Sequence, residues 1–206
     1  MTSSLWQRLR ALVRPAPIAS ADALRVFLEQ RAWLIAQKCA IDYCRGKTGL
    51  ASYALFTEKP FQEALDVCHR ETFAVVLGDL LLVAEGHLRA QLSPEQQGRL
   101  NEVLVALYGD CLAALAAPAQ RTQGWDGAAE AFATRLKAAS AGPPRQALDV
   151  ADHSAKRLFE TLPIHASYRE LDQEVVYGAV RFRMIAVSAE MQRRFAAAEL
   201  ARHLIA

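Results

Sequence analysis

The chain is short of what builds sheets, covalent staples and wide loops. Its 206 residues include only 10 Gly and 8 Pro. No stretch alternates apolar and polar residues with β-branched enrichment long enough to make a strand. An all-β sandwich or barrel is therefore excluded. The four cysteines, Cys39, Cys44, Cys68 and Cys111, form no CxxC pair. They are expected to be reduced core thiols in a cytoplasmic protein rather than a disulfide framework. The longest uninterrupted apolar run, Thr72 to Ala84, carries Asp79 and is too short to cross a bilayer. Arg8, Arg10 and Arg14 interrupt the apolar h-region that a secretory signal would need.

Short catalytic signatures are missing too. Gly-x-Ser-x-Gly, Gly-x-Gly-x-x-Gly and His-Glu-x-x-His do not occur. Gly46-Lys47-Thr48-Gly49 echoes the end of a phosphate-binding loop but has neither the upstream glycine nor a preceding strand. It is expected to stop a helix. A di-iron carboxylate site needs Glu-x-x-His on two helices plus two more Glu. The nearest approaches are Asp66 with His69 and Glu199 with His203. No metal, cofactor or catalytic residue is assigned, and the reading leans away from an enzyme.

Charge of one sign is scarce over the whole chain, with 24 Lys/Arg against 22 Asp/Glu. It is uneven locally. Residues 1–50 hold eight basic and three acidic side chains, whereas residues 51–120 hold four and nine. A protein built to grip duplex DNA would show a larger basic patch, so nucleic acid is not expected as a partner.

What is present is helical pattern. With 52% hydrophobic and 22% charged residues, the chain can bury a core. Ser20 is a candidate N-cap for a helix over 21–45, stopped by Gly46 and Gly49. One helical turn is expected within 50–57. Pro60 opens a helix over 61–91. Ser93-Pro94-Glu95-Gln96 has the form of a capping box for a helix to about residue 116. Helices over 125–139 and 150–162 follow, separated by Gly142-Pro143-Pro144. His165 stands at the entry to the last helix. Ser167-Tyr168-Arg169-Glu170 has the form of a second capping box, opening a helix that runs to about residue 204. The expected fold is all-α: a single-domain antiparallel bundle of five long helices plus one or two short ones, over residues 18–206. Residues 1–17 form a separate basic N-terminal segment.

In that segment Leu5, Trp6, Leu9, Leu12 and Val13 share one helical stripe, while Arg8, Arg10 and Arg14 lie off it. Such a helix can lie on an anionic membrane surface or against a partner protein. The helix over 61–91 has an apolar seam containing Phe61, Leu65, Cys68, Thr72 and Val76, with Asp79 at its centre. A carboxyl there must be paired or protonated. Asp79, Thr72, Cys68 and Arg183 are the candidate ligand-binding residues. Arg183 falls within an apolar sector of the last helix, so an Asp79–Arg183 ion pair is expected.

Tyr53-Ala54-Leu55-Phe56-Thr57-Glu58-Lys59 resembles the tyrosine, phenylalanine and lysine that close the DNA-binding region of TetR-type regulators. The resemblance covers about ten residues. The helix pair that should precede it is missing, because residues 21–45 form one helix without a turn. No family is assigned. The leading expectation is a non-catalytic helical interaction protein, an accessory or assembly factor with a protein partner or a homodimeric state, peripheral on a membrane face. The alternative is a binder of a small apolar molecule or lipid, or an enzyme, with Asp79 in an apolar pocket.

Overall fold

The computed structural model describes residues 16–206. The amphipathic stretch expected within residues 1–14 lies outside the described residues. The chain is all-α. Helices α1 (Ala21–Thr48), α2 (Ser52–Leu55), α3 (Lys59–Leu88), α4 (Pro94–Ala113) and α5 (Ala128–Ser140) are followed by α6 (Ala147–Thr161), α7 (Ala166–Arg169), α8 (Gln173–Arg194) and α9 (Ala197–Ile205). No named strand occurs among the described residues. One isolated bridge joins Ile18 to Phe195.

Local chemistry explains most of the boundaries. Ser20 Oγ accepts from the Ala23 N–H at 3.3 Å and starts α1. Gly49, at φ 52°, closes it in a conformation that a side chain would resist. The capping box at Ser93 is complete, with Gln96 returning its bond to the Ser93 N–H at 3.0 Å. A second box, Gln146 with Asp149, starts α6 three residues earlier than expected. The Gly142-Pro143-Pro144 turn is held against α3: the Arg89 guanidinium donates to Gly142 O at 2.6 Å. A Cβ on Gly86 would come within 3.1 Å of Pro144 Cβ, so Gly86 permits that approach.

The helix expected from 167 to 204 is in fact three pieces. The first is the short α7, whose N-cap is His165 rather than Ser167, with Nδ1 accepting from the Ser167 N–H. Asp172 then spends its carboxylate on Tyr43 and Lys47 of α1 instead of continuing a cap. The second break, at Phe195, is tertiary. Ile18 N–H donates to Arg194 O at 2.8 Å, and Ala196 N–H to Ile18 O at 3.1 Å. This exchange takes the backbone that another turn of helix would need, and no local signal around Phe195 encodes it.

Helix α3 is the hub of the core. From Phe73 to Glu85 all residues except Val75 are buried. Residues 31 and 42 of α1 bond residues 190 and 183 of α8, so these two helices run in opposite senses. Residues 71 and 79 of α3 meet residues 157 and 154 of α6 in the same inverted order. One apolar cluster extends from Ile18 to Leu204. No described helix is long and apolar enough to cross a membrane.

Candidate functional site

Three acids of α3, Glu71, Asp79 and Glu85, are buried. On a helical wheel they fall within about 120° of one another, on the side turned toward α5 and α6. Such a row is costly unless every carboxylate is matched, and each one is. Glu71 accepts from Arg121 at 2.6 and 3.0 Å and from Arg157 at 2.6 and 3.1 Å. Asp79 accepts from Arg135 of α5, from Ser154 Oγ at 2.5 Å, and is 3.1 Å from His153 Nδ1. Glu85 accepts from Arg89 at 2.7 Å and from Ser140 Oγ at 3.3 Å.

Electrostatics follows from these partners. Burial alone would raise the Glu71 carboxyl, but the hydrogen bonds and charges of Arg121 and Arg157 outweigh it and hold it below the usual carboxylate range. The same pairing raises Arg121, which therefore stays charged. Arg121 also lies over the Trp125 ring, 4.4 Å from its centroid, and this fixes its plane. Burial pushes the Tyr108 hydroxyl up to about 12. Tyr108 donates to Ala74 O at 3.2 Å.

The outer faces of these groups line a cleft of about 330 Å³. Arg121 comes from the loop after α4, Tyr108 from α4, Arg135 and Phe132 from α5, and His153 from α6. Asp126, Gly127 and Ala128 form its mouth at the start of α5. That helix is capped by Gly127, which offers no side-chain oxygen to the first turn. Asp79 is fully buried behind the cleft, and His153, 48% exposed at its side chain, stands between the acid and the opening.

The expected site residues do not come together as a pocket. Cys68 and Thr72 are fully buried in the core, away from this opening. Thr161 Oγ1 donates to Cys68 Sγ at 3.4 Å, and burial pushes the Cys68 thiol up to about 11. Thr72 Oγ1 has no hydrogen-bond partner. The expected Asp79–Arg183 pair does not form. Arg183 bonds Asp42 of α1 at 3.0 Å on the surface, and Arg135 takes its place at Asp79. The apolar sector expected around Arg183 spans Val176, Val187, Ala179 and Ala186, and only its valine edge is buried; the two alanines are not. Both are exposed, because alanine sits equally well on either side of a helix. The buried side of α8 runs from Val176 and Val187 through Val180, Met184 and Met191, and Arg183 lies at its edge.

Glu71, Arg121, Arg135, His153, Ser154 and Arg157 were not singled out from the sequence. One signal could have found Glu71 and Glu85. A helix apolar on every face from Phe73 to Ala84 has no wet side, so acids just beyond that stretch must also be matched. The arginines come from a loop and two other helices, and no spacing rule links them to α3.

Among the described residues no group of three or more His, Cys, Asp or Glu could hold a metal ion. All four cysteines are buried and free. Comparison of the chain with protein-family models, with curated proteins and with solved structures gives no match. The functional argument rests on the geometry of this chain alone.

Proposed function

We propose that the protein is a non-catalytic helical interaction protein, an accessory or assembly factor, and that it docks through the outer face of α8. The observation that carries this reading is the exposed apolar stripe Val175, Gly178, Phe182, Ile185. Phe182 is 74% exposed and Val175 64%. The steps of three, four and three residues match the seam of a helix that packs on another helix. Leu148 of α6, also exposed, extends the apolar surface. Lone exposed apolar residues need no explanation, but an aligned set on one helix does.

The occupant is a second copy of this chain. A twofold axis at the level of residue 180 would set Phe182 against Gly178 and Val175 against Ile185, large against small and branched against branched. A Cβ on Gly178 would meet nothing within 4 Å, so the room for a partner's ring is there. On this reading residues 18–206 act as one antiparallel helical domain. The basic segment 1–17 is an additional arm for a partner or an anionic membrane face, and the protein works in the cytoplasm, peripherally on the inner face of that membrane.

Two competing readings have less behind them. A binder with Asp79 in an apolar pocket needs an open cavity at Asp79, but that carboxylate is enclosed by Arg135, His153 and Ser154. A TetR-like regulator needs a helix pair before residue 53, but Ala21–Thr48 is one unbroken helix.

Light scattering coupled to size exclusion tests the proposal. The wild-type protein should run as a dimer that dissociates on dilution. Gly178→Trp and Phe182→Glu should both run as monomers. A wild-type monomer at high micromolar concentration would reject the self-association.

A further inference from the structure

The cleft between α4, α5 and α6 has a different character from the α8 face. We infer that it is a binding site for the oxyanion group of a small organic acid or phosphate ester. The inference is independent of the self-association reading.

The argument starts from where the hydrogen-bond donors point. Arg135 gives Asp79 a single bond from Nη2, so four of its five N–H donors have no partner among the described residues. Arg121 gives Glu71 its Nε and Nη2, and its Nη1 has no partner among the described residues. His153 spends Nδ1 on Asp79, lines the cleft, and has no partner for Nε2 among the described residues. Both guanidinium groups are thus held from behind by buried carboxylates. Both side chains line one concavity and are about a third exposed. Fixing a guanidinium in this way lowers the entropy lost when it grips a planar or tetrahedral oxyanion.

The count of charges around His153 is balanced. Glu71, Asp79 and Asp126 oppose Arg121, Arg135 and Arg157. The distribution is not balanced. Glu71 and Asp79 turn their lone pairs inward onto the guanidiniums and Ser154, so the cleft meets the cations and not those acids. Asp126 alone presents a carboxylate at the mouth. The first turn of α5 adds a positive partial charge beside it, reduced by the bond from Ala128 N–H to Trp125 O and by Glu130 in the same turn. Phe132 and Val75 supply an apolar wall. A volume of about 330 Å³ admits a compact molecule.

The test titrates the purified full-length protein with inorganic phosphate, with benzoate and with methylammonium chloride, followed by calorimetry and by amide chemical shifts. Saturable binding of phosphate alone assigns a phosphate-ester site. Benzoate alone assigns a carboxylate site, and both together assign a general oxyanion site. Two variants leave the buried pairs intact. Ala131→Glu, on an exposed cleft-lining residue, sets a like charge in the opening and should weaken binding roughly tenfold or more. Asp126→Asn removes the opposing carboxylate and should strengthen binding several-fold. Absence of saturable anion binding, binding of methylammonium instead, or anion binding that neither variant changes would each overturn the inference.

Discussion

The row of acids on α3 and the apolar stripe on α8 are opposite departures from the same rule. One puts charge where a core should be apolar, and the other puts a Phe and an Ile where a surface should be polar. The two are resolved differently. On α3 every misplaced group has its partner within the chain: three carboxylates meet arginines from positions 89, 121, 135 and 157. On α8, Phe182 and Val175 have no such cover. A buried ion pair adds little net stability over a hydrophobic replacement, but it punishes any mispacking severely. The α3 row therefore acts on register, holding α5 and α6 at one height along α3. The α8 stripe costs the monomer's fold little, and its apolar surface is what the proposed self-association would bury.

The largest effect should come from breaking the comparison on the α3 side. Arg135→Ala leaves a fully buried Asp79 without its cation and should cost about 3–5 kcal/mol in urea denaturation. Asp79→Leu should cost less, because the stranded Arg135 is 35% exposed at its side chain and reaches water. The double change Asp79→Leu with Arg135→Met should cost least of the three. An Asp79→Leu cost exceeding that of Arg135→Ala would show that Ser154 and His153, rather than the ion pair, dominate the site.

Glu71 sharpens the same point through pH. Its folded pKa lies below its unfolded value, so its contribution is fully present above the unfolded pKa of about 4.5 and is lost as pH falls through the folded pKa. Glu71→Gln should flatten the acid limb of the stability–pH curve below about pH 4.5 and leave the slope above pH 6 unchanged. Because two arginines share this carboxylate, Arg121→Gln or Arg157→Gln alone should cost only about 1–2 kcal/mol. Equal acid limbs in wild type and Glu71→Gln would mean that Glu71 does not carry that charge linkage.

The surface pair that displaced the expected one gives a smaller effect. Arg183→Gln should destabilise by about 0.2–1 kcal/mol, and less at high salt, since Asp42 and Arg183 are both partly in water. A loss above about 2 kcal/mol would place Arg183 in the core after all.

How much was legible in the sequence differs between the two regions. Helix starts were at Ser20 and Ser93, whose hydroxyls cap locally, but not at Gln146 and His165, which cap with side chains seldom used for it. The end of α8 was not, because Ile18, from the far end of the sequence, breaks the helix at Phe195. Asp79 was visible as a buried charge because its neighbours on the wheel are large and apolar. Its partner was misassigned because the sector around Arg183 mixed Val176 and Val187, which are buried, with Ala179 and Ala186, which are not, so Arg183 falls at the edge of the buried side and not within it. The cleft was invisible for a related reason. Arg121, Arg135 and His153 each look like ordinary surface residues until α3 supplies the acids that hold them.

The smallest expected change in stability belongs to the α8 side. Phe182→Glu places a charge on a side chain already 74% exposed. No packed neighbour is lost and no cavity forms. The unfolding free energy of the dilute protein should therefore stay within about 0.5 kcal/mol of wild type. Association should respond in the opposite way. The same carboxylate would face its own symmetry mate's apolar stripe across a twofold axis, two desolvated charges per dimer, so the dimer should be lost. Sedimentation equilibrium and urea titration on one preparation separate the two readings. Lost association with unchanged stability identifies the stripe as a docking face. Lost stability at concentrations where the wild type is monomeric would show that Phe182 is a packing residue of the monomer, and the contrast between α3 and α8 would collapse.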